Sequence, residues 1–235
     1  MKPPQQADPV VGKTVIEPPL PQYYDRSGEQ IIYSVNMGKI TIGFAVFNCL
    51  PNIQENGRVL AVMTFETKIK GFQDKETIYS DALTLLPARV DRDIQSMLKH
   101  ENLIEKYDHR DFTLTVIKKN GQKEGAGTVF KNDSPIHNAV LLPYYVRTIP
   151  ELKIGYSLTA NFARRRFEIK LVSIENIIVP AGEYKTYHFE SIPKQVEIWL
   201  SVDKDRIPVK IQGIGRFSYS LNMTSYKPPQ KPAKP

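Results

Sequence analysis

The sequence predicts a mostly β protein: a single antiparallel, strongly curved sheet or incomplete β-barrel, with one short helix at about 133–148 packed on or inside it. Three observations carry this expectation. Apolar residues recur with a period of two along most of the chain, the signature of strands with one buried face. Turn residues punctuate those runs at short intervals. Only one stretch carries convincing helix-start chemistry. All-β barrels and sandwiches of 235 residues are routinely one domain. The chain therefore divides into a Pro-rich tether (1–22), one β domain (23–226) and a Pro/Lys-rich tail (227–235). Prolines 3, 4, 9, 18, 19 and 21 favour extended polyproline-II backbone in the tether and keep it out of a sheet interior.

The folded part starts near Tyr24. Ile31, Tyr33 and Val35 share one face of a strand, and Asn36-Met37-Gly38 is turn chemistry. Ile40, Ile42, Phe44 and Val46 are read as the apolar face of its partner, with small Gly43 and Ala45 opposite. A glycine inside a strand marks a bulge, a bend or a close approach. Val59 to Ile69 alternates again, Lys75–Ser80 is β-like, and Leu86-Pro87 breaks the chain. Residues 88–107 read equally as a helical stripe (Ile94, Met97, Leu98, Leu103) or as two charged strands joined at His100-Glu101-Asn102. Phe112, Leu114 and Val116 are strand, Asn120-Gly121 is a strong hairpin turn, and Thr128–Phe130 is a short return.

Asp133-Ser134-Pro135 reads as a helix start, with Ser134 as N-cap and Pro135 at the first helical position. Ile136–Leu142 supplies its apolar turn, Pro143 limits it, and Tyr144–Thr148 resumes a second helical piece ended by Pro150. Strands follow at Tyr156–Phe162, Phe167–Glu175 and Glu183–Ser191, with Pro180-Ala181-Gly182 as a turn. The clearest hairpin comes late. Val196, Ile198, Leu200 and Val202 alternate with polar residues and Trp199; Asp203–Arg206 is a polar connection; Ile207, Val209 and Ile211 alternate on return. Phe217, Tyr219, Leu221 and Met223 form the last strand. The count is on the order of ten to twelve strands of ordinary length.

Composition narrows the function classes. Cys49 is the only cysteine, which excludes an intramolecular disulfide and a multi-cysteine metal site. The net charge of +7 falls entirely on residues 121–235. A basic half of this kind suits anionic lipid, anionic glycan or nucleic acid, and also plain solubility. Aromatics do not interleave with the Arg164-Arg165-Arg166 run in the manner of an RNA-stacking sheet, so no nucleic-acid partner is expected. No stretch approaches a membrane span, so no transmembrane segment is expected. No signal-peptide pattern is legible, and one reading of the opening residues is a mature region behind an added methionine.

No catalytic constellation is legible. His100, His109, His137 and His188 show no metal-ligand spacing, and no G-x-S-x-G elbow is present. No metal or cofactor is expected, and neither is an enzyme. A hydrolase would need a cleft gathering Asp91, Asp93, Asp108 or Asp111 near a histidine. Candidate ligand or cavity residues are Tyr144, Tyr145 and Arg147 after the short helix, and Trp199 on the face opposite Ile198 and Leu200. Arg164, Arg165 and Arg166 are candidate anion contacts, because guanidinium forks bind phosphate-like groups; a solvated loop is the plainer alternative.

Four segments together resemble a known family: G-E-x-x-x-Y-S-V from Gly28, D-S-P-I-H-N-A-V-L-L-P-Y-Y-V-R from Asp133, P-A-G-E-Y-K-T-Y from Pro180, and I-W-L-S-V-D-K-D-R-I-P-V-K-I from Ile198. The chain resembles the bacterial domain-of-unknown-function family numbered 3108 from about Gly28 to Met223, most specifically over Trp199–Val209. The family pattern usually has D-x-L/I-S at the helix, where this chain has Asp133-Ser134-Pro135-Ile136. The resemblance implies an exported protein, periplasmic or outer-membrane-associated, with an antiparallel β fold curled around a short helix. It tilts residues 88–107 towards strands and transfers no activity. Curled sheets plugged by a helix are also similar to periplasmic lipoprotein-carrier folds, an analogy of fold alone. The leading expectation is a non-enzymatic cell-envelope protein enclosing a lipid or other hydrophobic ligand. The alternative is a structural or interaction module with a filled interior, binding an envelope protein or glycan through its edges or tails.

Overall fold

The computed structural model describes residues 14–15, 23–120, 123–215 and 218–230. Among them are fifteen strands and one helix. The first half holds β1 (Thr14–Val15), β2 (Gln30–Met37), β3 (Ile40–Glu55), β4 (Arg58–Ile69) and β5 (Phe72–Asp81). It continues with β6 (Pro87–Ser96), β7 (His100–Asp108), β8 (Thr113–Asn120) and β9 (Lys123–Lys131). After α1 (Leu142–Arg147) come β10 (Ser157–Phe162), β11 (Arg165–Val179), β12 (Gly182–Ile192), β13 (Val196–Ser201), β14 (Pro208–Gly213) and β15 (Tyr219–Lys227).

These strands form one sheet in the order β1-β10-β11-β12-β13-β14-β15-β2-β3-β4-β5-β6-β7-β8-β9. Every pair except β1–β10 is antiparallel. Two meanders, β2–β9 and β10–β15, are thus joined where β15 pairs with β2. Among the described residues the sheet does not close: β9 is one edge, and β10, bearing short β1, is the other. The predicted tether therefore contributes two residues to an edge, where a parallel pairing does not conflict with its prolines.

The connection from β9 to β10 supplies the interior. Leu141, Leu142, Tyr144, Tyr145, Val146 and Ile149 are buried among sheet residues that include Ile31, Tyr33, Phe47, Met63, Phe189, Ile198 and Met223. Burying each large apolar side chain of this kind contributes about 1.5–3 kcal/mol, so the plug is integral to the core. Its path differs from the expected one. Residues 133–139 are not helical, and α1 is the six-residue segment Leu142–Arg147. Two interactions divert the backbone. The His137 amide donates to the Asn161 carbonyl at the β10 edge (2.7 Å), and Asn138 Oδ1 accepts the amides of Val140 (2.8 Å) and Leu141 (3.3 Å). Pro143 then lies in the first turn of α1, where its missing N–H is harmless. It begins the helix that it was expected to limit.

Other departures have local causes. Residues 88–107 are strands, with the hairpin turn at Ser96–Lys99 rather than at His100–Asn102. Strand β9 is longer than the short return read at Thr128–Phe130; β6, β7 and the short β1 raise the strand count above twelve. Strand β8 ends at Asn120, paired with Lys123; Gly121 of the expected turn, and Phe217 of the last strand, lie outside the described residues. On β3 the inward face after Gly43 is Ala45, Phe47 and Cys49, while Phe44 is exposed. A register shift at Val35/Asn36 exchanges faces along β3, so Ile42 before it and Ala45 after it both meet the core. Gly43 marks a close approach, since a Cβ there would lie 2.0 Å from the Lys68 carbonyl oxygen.

Candidate functional site

An apolar cleft runs between the plug and the inner face of the sheet. One cavity of about 130 Å³ is lined by Tyr33, Phe47, Val140, Tyr144 and Ile198, among others. A second, of about 430 Å³, reaches from Val35 and Ile42 to Ile69 and Phe72. The two share Phe65, Val140, Tyr219 and Leu221 and so adjoin. Alternation on β2, β4, β13 and β15 brings these residues together, because one face of each strand is turned to the plug.

The larger cavity has one polar end, at Asp74, Glu76 and Arg92. These lie on paired strands, with Glu76 directly opposite Arg92. Arg92 Nε donates to Asp74 (2.9 Å) and lies 3.6 Å from a Glu76 oxygen. Burial pushes the Glu76 carboxyl up to about 7; Arg92 opposes the rise, while Asp74 and Glu105 add to it. A raised carboxylate favours the fold fully at low pH, and this contribution is lost as pH rises through about 7. Glu76→Gln is therefore expected to stabilise the protein at pH 8 by on the order of 2 kcal/mol, and to gain nothing at pH 4. Paired denaturant titrations at the two pH values check this; an equal effect at both would rule out the titration.

Behind the cleft, α1 is latched to the sheet by a buried ion pair. Arg147 donates from Nη1 to Glu29 Oε2 (3.0 Å) and from Nη2 to Glu29 Oε1 (2.9 Å). The two side chains are only 4% and 0% exposed. Arg147 also donates to the Asp205 carbonyl from Nε and Nη2 (3.1 and 2.8 Å). Glu29 accepts further bonds from Arg26 (2.8 Å) and Tyr226 (3.1 Å). Burial alone would raise the Glu29 carboxyl, but Arg147 and then Arg26 outweigh it and hold the group below its ordinary range. Arg206, held at positive φ, donates to the carbonyls of Arg147, Ile149 and Pro150. It thereby satisfies carbonyls at and just beyond the C-terminal end of α1.

The residues singled out from the sequence separate in space. Tyr144 lines the cleft, its ring stacked on Phe47 at 4.3 Å. Tyr145 packs edge-on against His137 instead. Arg147 is consumed by the latch and is not at a pocket rim. Trp199 neither lines the cleft nor lies under a helix: it is on the outer face, stacked on His188 at 4.3 Å, beneath the Lys210 ammonium, and bonded to Glu175 (2.7 Å). The alternation that sends Ile198 inward sends Trp199 outward, and its three neighbours bury it there. Arg164, Arg165 and Arg166 are exposed at the β10–β11 turn, with Arg164 over the Phe130 ring. Asp93 meets exposed His100 (2.9 Å), Asp91 meets Arg89, and Asp108 accepts turn amides from Arg110 and Asp111. These carboxylates do not gather in one cleft.

Besides the polar end of the cleft, sequence spacing missed two clusters. The latch joins residues 118 positions apart. His188, Glu190 and Glu197 offer ligand atoms within 4.8 Å of one another, since His188 and Glu190 share a face of β12 and Glu197 pairs with Glu190. The Lys194 ammonium sits on both glutamates (3.0 and 2.7 Å) and supplies the positive charge a metal ion would bring. Among the described residues, no helix is long and apolar enough to cross a membrane.

Fold and cleft together define a barrel-like antiparallel β protein, left open along one seam and plugged by its own connecting segment. The chain belongs to the family described as "Protein of unknown function (DUF3108)", which it matches over residues 32–222. Among solved structures it is similar to a β-barrel-like protein of the domain of unknown function DUF1849 from Brucella abortus, with TM-score 0.52 at 12% identity. That match covers 89% of this chain and 100% of the other. An exported protein with a YmcC-like fold from Bacteroides fragilis gives TM-score 0.31 at 10% identity, covering 87% and 98% of the two chains. A lipoprotein from Parabacteroides distasonis gives 0.30 at 8%, covering 92% and 100%. No curated protein matches the chain.

Proposed function

We propose that this is a non-enzymatic protein of the bacterial cell envelope that holds a hydrophobic ligand, of the acyl-chain class, in the cleft between plug and sheet. One observation carries the reading: two adjoining apolar cavities end at a single polar cluster, Asp74, Glu76 and Arg92. Ligand sites of this volume class combine mainly apolar walls with a few polar groups that fix orientation. Hydrocarbon would occupy the wall of Phe65, Val140, Tyr219 and Leu221, and a polar head would sit toward Arg92. The family resemblance is the ground for the envelope location, which cell fractionation tests.

The binding test is displacement of an environment-sensitive fatty-acid dye. Saturable enhancement of its emission, reversed by unlabelled long-chain fatty acid, is expected. A protein that leaves the dye signal unchanged would favour the filled interaction module.

A further inference from the structure

At one end of the sheet, three neighbouring hairpins carry lysines and apolar tips and no acidic residue. The β2–β3 tip is Met37-Gly38-Lys39-Ile40, the β4–β5 tip runs Lys68-Ile69-Lys70-Gly71-Phe72, and the β6–β7 tip is Ser96-Met97-Leu98-Lys99. Register places them side by side: Gly43 pairs with Ile69, and Phe72 pairs with Ser96. The Met97 amide donates to the Gly71 carbonyl (3.1 Å). Apolar side chains of the first and third tips are turned to solvent, with Ile40 69%, Met97 85% and Leu98 97% exposed, while Ile69 and Phe72 of the second are half-buried. Lys39, Lys68, Lys70 and Lys99 are exposed beside them. Among the described residues only Lys99 has an acidic partner, Glu101. The opposite ends of the same strands differ in sign: Glu55 and Arg58, Asp81, and Asp108, Arg110 and Asp111 occupy those turns. The larger cavity reaches the basic end, where Met37, Ile69 and Phe72 line it.

We propose that this end of the sheet docks on an anionic phospholipid bilayer, with Ile40, Met97 and Leu98 entering the interface and the four lysines meeting lipid phosphates. Solvent-exposed apolar tips gain burial only in an apolar phase. A surrounding ring of cations selects a surface of negative charge, as juxtamembrane lysines do. The opposite turns, with their acidic excess, would be repelled, so the charge distribution also sets orientation. Docking in this pose brings the cavity end beside the bilayer. That last point rests on the ligand reading above; the docking surface itself does not.

Cosedimentation of the full chain with vesicles of phosphatidylglycerol and phosphatidylcholine, against phosphatidylcholine alone, tests the proposal. Binding is expected to the anionic vesicles and to weaken with salt. Met97→Ser/Leu98→Ser should lose about tenfold or more in partitioning. Each of Lys39→Glu and Lys70→Glu should lose about fivefold or more. Arg58→Glu and Arg110→Glu, at the opposite end, should bind as the unmodified chain does. Equal sedimentation of all variants, or none of the unmodified chain, overturns the proposal. So does self-association without vesicles that Met97→Ser/Leu98→Ser abolishes, which would give the tips to a second copy. Dye binding in the same variants is read separately: retained with loss of vesicle binding it supports the surface, and absent throughout it refutes the ligand reading alone.

Discussion

Arg147→Ala is expected to destabilise the protein by about 3–5 kcal/mol, because it leaves the Glu29 carboxylate buried without its main counter-charge. Glu29→Ala should lose a similar amount by stranding Arg147. The double variant should lose less than the sum, since each single change already breaks the same bidentate contact. Stability from the latch also depends on pH. The Glu29 carboxyl is held below its ordinary value of 4.5 in the fold. Its contribution is therefore complete above that value and lost as pH falls through the folded-state pKa. Urea titrations of the three variants, repeated at pH 7 and pH 3, check both statements. Strictly additive losses would show that the two residues act independently.

Val140→Trp is expected to reduce fatty-acid affinity by at least tenfold while leaving the melting temperature unchanged or higher. Val140 is on the plug and lines both cavities, so an indole there fills the passage between them. Filling a void in a folded protein is commonly neutral or stabilising. Val140→Ala enlarges the same passage and should retain binding. A parallel loss of affinity and stability in Val140→Trp would instead indicate that the plug had been displaced. Dye titration together with thermal melts separates these outcomes.

Much of this architecture was legible because the period of two holds along most strands. Ile31, Tyr33 and Val35 read as one buried face and are one. Ile198 and Leu200 are core residues as the alternation requires. The same rule put Trp199 on the other face, but nothing in the spacing disclosed that His188, Glu175 and Lys210 would cover it. The inward face of β3 was misread because a bulge shifts the alternation, and Phe44 outweighs Ala45 and Cys49 in any hydrophobicity count. The helix was placed too early because Ser134-Pro135 is good capping chemistry; the edge of β10 claimed that backbone first. Arg147 stood out by its neighbours Tyr144 and Tyr145. Its partner Glu29 is present in the family-like segment from Gly28, but the pairing was not legible, since Glu29 precedes the first strand of the meander and meets α1 only when the sheet has curled. The polar end of the cleft was hidden for a similar reason: Asp74, Glu76 and Arg92 look like ordinary strand charges until β5 and β6 pair.

The proposed function depends on the space between plug and sheet being occupied by something oily. Native mass spectrometry of the full chain, purified from cells without detergent or organic solvent, addresses this directly. The expected spectrum holds a second population heavier by the mass of an acyl-bearing molecule, released on activation and absent from Val140→Trp. A single population at the bare polypeptide mass, unchanged after incubation with long-chain fatty acid, would contradict the account.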